Sequence, residues 1–262
     1  MISNPNNPTI RQIRKLRKRR ERDRSREMIV EGHRALGVAL RAKAAVSRVL
    51  HTKEGAERRA DLLRDARAAG ATVLEVSPNV MATLTSVETA PDMIGVAAIP
   101  AVSVQEAVSR FGLGAVLAGV RDPATAGSIL ASCAAAGGAV AIATKGTTDL
   151  FAPKPVRSAA GAHFVLAIAS DVDPESCADA LGAAGVGVVA LESSGTDPSR
   201  VDLGDRLAVV VGEEGAVPDP LLTAAAARVV VGDEDTHVRP SVAAQAAVVL
   251  FEAARQRAAR RG

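Results

Sequence analysis

Tryptophan and tyrosine are absent and phenylalanine occurs only four times in 262 residues, so aromatics amount to 2%. A surface built on stacked bases or an aromatic cage is therefore not expected, and the core has to come from Ala, Val, Leu and Ile. Cysteine is scarce as well: Cys133 and Cys177 stand far apart without metal-ligand spacing, so neither a disulfide framework nor a zinc site is expected. The four histidines, His33, His51, His163 and His237, show neither metal-ligand nor triad spacing, so no metal is expected. There is no run of about 18 apolar residues, and the N-terminus opens polar and then basic, so neither a membrane span nor an export signal is expected. The reducing cytoplasm is the expected location. Neither a Gly-Lys-Ser/Thr phosphate loop nor a GxGxxG turn occurs, which disfavours a nucleotide or dinucleotide enzyme.

What is present describes a folding chain. Hydrophobic residues make up 48% and charged residues 23%, and the length suits two domains. The net charge of +3 hides an asymmetry. Residues 1–26 carry ten Lys/Arg against Glu21 and Asp23, a local +8, while the rest carries 22 Lys/Arg against 27 Asp/Glu, or −5. A polyanion-binding arm on a mildly acidic body is the reading, with a solvated tail as its alternative. Ile10, Ile13 and Leu16 recur at helical spacing within the arm.

From about residue 33 the apolar periodicity alternates between helical and extended. Helices are predicted at 33–44, 54–69 and 78–84, and strands at 46–50, 71–76 and 94–99, a small α/β domain. Pro100 to Ser103 breaks the pattern. Residues 1–100 are thus read as the basic arm with a substrate-binding domain, 101–112 as a linker and 113–262 as a second domain. In that domain strands at 114–120, 139–143, 163–169, 187–191, 207–211 and 228–231 alternate with helices ending at 136 or lying near 153–160, 175–184, 218–226 and 242–261. The run 114–120 is apolar throughout, as in strands buried on both faces, so a parallel α/β sheet is predicted.

Three segments could carry chemistry. Arg121 to Ser128 follows a strand and opens a helix, where free N–H groups can face an anion, although Asp122 by itself reads as a helix cap. Glu213 and Glu214 leave a strand side by side, either as interacting carboxylates or as a solvated acidic turn. Lys154 and Arg157 share a helical face that can hold a phosphate or simply face water. His163 reads as a satisfied core histidine in a buried strand.

In the order of its segments the chain resembles the SpoU (TrmH-like) branch of the SPOUT RNA methyltransferases. The resemblance rests on Ile2-Ser3-Asn4-Pro5 and Val30-Glu31-Gly32-His33-Arg34-Ala35-Leu36, on Leu84 to Pro91, and on Val120 to Ala131 as the first methyltransferase motif. It continues with Lys154 to Gly161 as the Lys-x-x-Arg-x-x-x-Gly segment, Leu207 to Glu214 as the second motif and Val238 to Glu252 as the third. It implies an N-terminal ribosomal-protein-like α/β RNA-binding domain and a C-terminal parallel-sheet domain with a deep trefoil knot. It further implies a homodimer that methylates a ribose 2′-oxygen of rRNA or tRNA, in a layout similar to the antibiotic-resistance rRNA methyltransferases. S-adenosylmethionine is the implied cofactor, bound mostly through backbone groups. Its expected contacts are Val211, Gly212, Glu213, Val217, Val231, Val238 and Ser241. RNA contacts are expected at Arg14, Arg17, Lys18, Arg20, Arg34 and Lys154.

The chain departs from the family pattern where the chemistry would sit. Thr125 and Ala131 stand in place of the family's Asn and catalytic Arg, and Arg239-Pro240-Ser241 in place of Ser-Leu-Asn. Ala243 and Val217 replace a Ser and a Gly. The methyl group of Ala131 can neither accept a proton nor orient one, so its role is relocated or lost. If relocated, Arg157, Glu214 and Arg239 are expected to carry it. If lost, the chain is a catalytically inactive RNA-binding or regulatory dimer. Weak or absent S-adenosylmethionine binding is expected, because Val217 restricts the backbone and Pro240 lacks an N–H donor. Val242, Ala246, Val249, Leu250 and Ala253 form an apolar stripe on the last helix, expected at the dimer interface.

Overall fold

The basic N-terminal segment folds into two helices, α1 (Pro8–Lys15) and α2 (Arg19–Ser25). The structure, a computed structural model, describes residues 1–213, 216–232 and 238–261. Pro8 opens α1 and the Asn7 side chain accepts from Thr9 N at 2.9 Å, a local start signal. Its apolar stripe is then decisive: Ile10, Ile13 and Leu16 are buried in one cluster with Val76, Val80, Met81 and Leu84. The solvated-tail alternative is thereby overturned, since this segment forms part of a core. Arg22 is buried too, donating from Nη1 to Leu16 O at 2.7 Å.

The chain continues through β1 (Glu27–Glu31), α3 (His33–Arg41), β2 (Val46–His51), α4 (Lys53–Arg58), α5 (Ala60–Ala68), β3 (Thr72–Glu75), α6 (Pro78–Leu84) and β4 (Met93–Ala98). These strands form a mixed sheet in the order β1-β4-β2-β3, with β1 and β2 antiparallel to β4 and β3 parallel to β2. The helix predicted at 54–69 is broken at Arg59, whose φ of −138° is not helical. Residues 151–164 belong to the same compact unit as residues 1–100.

The second unit comprises residues 101–150 and 165–262. Residues 101–112 contain α7 (Val104–Ser109), with Ala107, Val108 and Phe111 buried in this unit's core. Then follow β5 (Leu113–Ala118), α8 (Pro123–Ala135), β6 (Val140–Thr144), α9 (Pro153–Ser158, in the first unit), β7 (Ala167–Val172), α10 (Pro174–Ala183), β8 (Gly187–Thr196), β9 (Leu207–Gly212), α11 (Asp219–Thr223), β10 (Ala227–Val229) and α12 (Val242–Ala259). The sheet is parallel throughout, in the order β10-β8-β9-β5-β6-β7, as the apolar run over β5 predicts. His163 lies in a 3-10 turn rather than a strand, fully buried, with its ring centroid 5.7 Å from that of Phe151.

On α12 the residues Ala246, Val249, Leu250 and Ala253 are buried within the protomer, where α12 packs on α8. The stripe expected at a dimer interface therefore serves the chain's own core. Val248 and Phe251, elsewhere on the helix, stay 48% and 50% exposed. Among the described residues no helix is long and apolar enough to cross a membrane.

Candidate active site

In the parallel sheet the chain runs from β5 to β6 and β7 on one side, then returns to place β9 and β8 on the other. Where the order reverses, the loops leaving neighbouring strands diverge and open a crevice at their C-terminal ends. That point lies between β5 and β9. Asp122, just after β5, caps α8: its side chain accepts from Thr125 N at 2.7 Å, and Pro123 occupies the first helical position. The Glu213 carboxylate just after β9 accepts from Arg121 N at 2.5 Å, fastening the first motif to the second. A cavity of about 120 Å³ is enclosed here by Val120, Asp122, Thr125, Gly212, Glu213 and Val242.

A second cavity of about 270 Å³ shares Val242 and is lined by Glu192 and Ser193, just after Leu191, and by Arg239, Pro240 and Ser241. Its walls are held by local bonds. Gln245 donates from Nε2 to Pro240 O at 2.7 Å, and the Ser241 hydroxyl caps α12 by accepting from Ala244 N at 3.4 Å. Val217 N–H donates to Glu192 Oε1 at 3.2 Å. Gly212 is obligatory in this packing: a Cβ there would lie 2.0 Å from Ala216 O.

The expected cofactor contacts divide accordingly. Gly212, Glu213 and Ser241 line the two cavities, whereas Val211, Val217 and Val231 are buried and Val238 is exposed. The Val217 side chain packs into the apolar core. Arg239 is the cation among the described residues walling these cavities, and Ala131 walls neither. Glu214 and His237 lie outside the described residues. Sequence reasoning missed Glu192 and Gln245, although a carboxylate directly after the apolar run 187–191 was a visible signal.

Arg157 and Lys154 sit on α9 in the first unit. Arg157 Nη1 donates to Glu31 Oε2 at 2.8 Å, with the Glu31 side chain 3% and that of Arg157 32% exposed. Thr85 Oγ1 donates to the same oxygen at 3.1 Å. Arg17, Lys18, Arg20, Arg34 and Lys154 are exposed and Arg14 is half-buried. Burial pushes the thiols of Cys133 and Cys177 up to about 12, which removes both as thiolate nucleophiles near neutral pH. The Glu252 carboxylate on α12 is held down to about 2, chiefly by hydrogen bonds from Arg255 and Gln256, so it is no proton acceptor near pH 7.

Comparison with known proteins agrees with this architecture. A family model described as the SpoU rRNA methylase family matches residues 112–250, and one described as an MRM3-like substrate-binding domain matches residues 7–95. The 23S rRNA (guanosine(2553)-2′-O)-methyltransferase RlmP of Bacillus subtilis is 27% identical over 84% of this chain and 85% of its own. The structure of an AdoMet-bound rRNA methyltransferase from Sinorhizobium meliloti superposes with a TM-score of 0.84 at 25% identity, covering 97% of each chain. A structure described as an RNA 2′-O ribose methyltransferase gives a TM-score of 0.80 at 26% identity, covering 98% of this chain and 99% of its own.

Proposed function

The chain belongs to the SpoU rRNA methylase family, and from that premise we propose that it transfers a methyl group from S-adenosylmethionine to a ribose 2′-oxygen of rRNA. The observation that carries the reading is the crevice between β5 and β9, where the Ala216 carbonyl just beyond β9 lies so close to Gly212 that no Cβ fits between them. A cofactor held mainly by main-chain groups fits such a cradle. Gly212, Glu213 and Ser241, with the backbone of Val211, Val217, Val231 and Val238, would hold it. When bound, it supplies an electrophilic methyl group on a sulfonium centre.

The chain's own task is to place a ribose hydroxyl in line and remove its proton, so that positioning contributes much of the rate. Ala131 offers nothing for the proton step. Arg239, at the cavity wall, is the cation we assign to stabilising charge on the oxygen, with Glu214 and Arg157 as further candidates. Residues 1–100 would bind the RNA and 113–262 hold the donor, joined through 101–112, the latter half threaded as a deep trefoil knot.

Calorimetry with S-adenosylmethionine and transfer of a tritiated methyl group to total rRNA test the reading. Transfer that disappears in Arg239→Ala is expected. RNA binding without any transfer would instead mean a non-catalytic RNA-binding dimer. Gly212→Ala should weaken S-adenosylmethionine binding at least about tenfold, because the Cβ must displace the Ala216 carbonyl. Equal affinity in that variant would remove the cradle from the account.

RNA affinity is assigned largely to exposed cations, among them Arg14, Arg17, Lys18, Arg20, Arg34 and Lys154. Replacing Arg17, Lys18 and Arg20 together by Ala should flatten the log-affinity against log-salt slope on single-stranded RNA by about 2. An unchanged slope would place the contact elsewhere. The homodimer is proposed to form through the exposed α12 residues Val248 and Phe251. Phe251→Asp should weaken it by about 30-fold, the loss of a central apolar anchor, as read by analytical ultracentrifugation. A wild-type chain that sediments as a monomer at micromolar concentration contradicts this.

A further inference from the structure

β8 runs beside β10 as far as Ala190, which pairs with Arg228, and the next pair is Thr196 with Val229. Residues 191–195 therefore leave the ladder to β10, while Leu191 still pairs with Val211 of β9. Gly195 permits the return, since a Cβ there would lie 2.5 Å from Arg228 O. The excursion carries Glu192 into the lining of the 270 Å³ cavity, and its Oε1 accepts from Val217 N at 3.2 Å.

That bond crosses from β8 to the loop that leaves β9. The loop doubles back, with Glu213 O accepting from Ala216 N at 2.9 Å, so the Ala216 carbonyl comes close over Gly212 and the Val217 side chain enters the apolar core. Among the described residues, the acceptor of Val217 N–H is the Glu192 carboxylate and no backbone carbonyl. A peptide N–H beside a buried side chain is costly to leave unmet, so this contact decides where the loop lies. On the other side the Glu213 carboxylate accepts from Arg121 N at 2.5 Å. The loop after β9 is thus strapped to both neighbours, β8 and the turn after β5, by carboxylates that accept backbone N–H groups.

We propose that Glu192 is a positioning residue for the cofactor: through Val217 N–H it holds the loop after β9 in the shape in which its backbone groups meet S-adenosylmethionine. The inference rests on the proposed methyl transfer for the identity of the ligand. A loop already held in place loses less freedom when the ligand arrives, so the strap acts on affinity and not on the chemical step. Since Glu192 works through one accepted hydrogen bond, an uncharged side-chain oxygen at the same reach serves as well.

The test compares Glu192→Ala and Glu192→Gln in the full chain. Hydrogen exchange at Val217 N–H, followed by NMR without any ligand, should be at least about tenfold faster in Glu192→Ala and near the wild-type rate in Glu192→Gln, whose amide oxygen still accepts. Calorimetry should show S-adenosylmethionine bound about tenfold more weakly by Glu192→Ala and within about threefold of the wild type by Glu192→Gln. In methyl transfer, Glu192→Ala should raise KM for S-adenosylmethionine and keep kcat at saturating cofactor, a split that a general loss of structure does not produce. Wild-type exchange or wild-type affinity in Glu192→Ala would overturn the proposal, as would a fall in kcat with KM unchanged. Equal loss of affinity in both variants would also overturn it, because the charge of Glu192 would then be acting on the cofactor itself. Exchange is read without ligand, so a wild-type chain that protects Val217 N–H and binds no S-adenosylmethionine overturns the proposed methyl transfer, whereas a wild type that binds it no better than Glu192→Ala overturns the strap alone.

Discussion

Deleting residues 1–16 should unfold the first unit rather than merely weaken its grip on RNA. Ile10, Ile13 and Leu16 are buried against Val76, Val80, Met81 and Leu84, so the deletion strips one side of that cluster. Truncating one such side chain to Ala typically costs about 2–5 kcal/mol, and a whole domain is stable by only about 5–15 kcal/mol. Removing three exceeds what the unit can lose. Circular dichroism and limited proteolysis of the truncated chain should show the first unit digested under conditions where the full chain survives. Ile13→Ala alone should lower stability by about 2–4 kcal/mol. A truncated chain that melts within two or three degrees of the wild type (about 1 kcal/mol or less) would mean the cluster is dispensable. For this reason the RNA contribution of these helices is measured with surface charge substitutions and not by truncation.

Arg157→Ala should destabilise the same unit by about 2–3 kcal/mol, a value below the roughly 3–5 kcal/mol of a fully buried pair because a third of the arginine side chain meets water. The cause is the Glu31 carboxylate, left buried with only Thr85 donating to it. Combining Arg157→Ala with Glu31→Gln removes the stranded charge and should recover most of the loss in urea denaturation. That double variant also separates stability from chemistry. If it is stable and transfer is still absent while S-adenosylmethionine binding persists, Arg157 or Glu31 contributes to turnover; if Arg157→Ala is as stable as the wild type, the ion pair is not what holds Glu31.

Much of this protein can be read along the chain because the signals are local. Pro78 and Pro123 open helices, Asp122 and Ser241 cap them, and the unbroken apolar strands β5 and β9 announce a sheet buried on both faces. The order of the methyltransferase motifs is equally a property of the sequence, and so is the absence of a cation at Ala131. The candidate site was legible at Gly212, Glu213, Ser241 and Arg239, which are close neighbours of recognisable turns.

Tertiary packing decided the rest. β1 is five residues long, follows a basic run and ends in a glutamate; it becomes a strand because β4 supplies its hydrogen bonds. The apolar stripe of α12 was legible in the sequence, but what covers it was not: the residues Ala246, Val249, Leu250 and Ala253 are buried inside the protomer, where α12 packs on α8, β9 and β5, and nothing in the helix's own sequence tells that partner from a second copy. Glu192 reaches Val217, and Arg157 finds Glu31 across 126 positions. Such pairs have no periodicity to betray them: a charge is placed by whichever buried partner would otherwise be left uncompensated, and that partner is fixed only when the chain has folded.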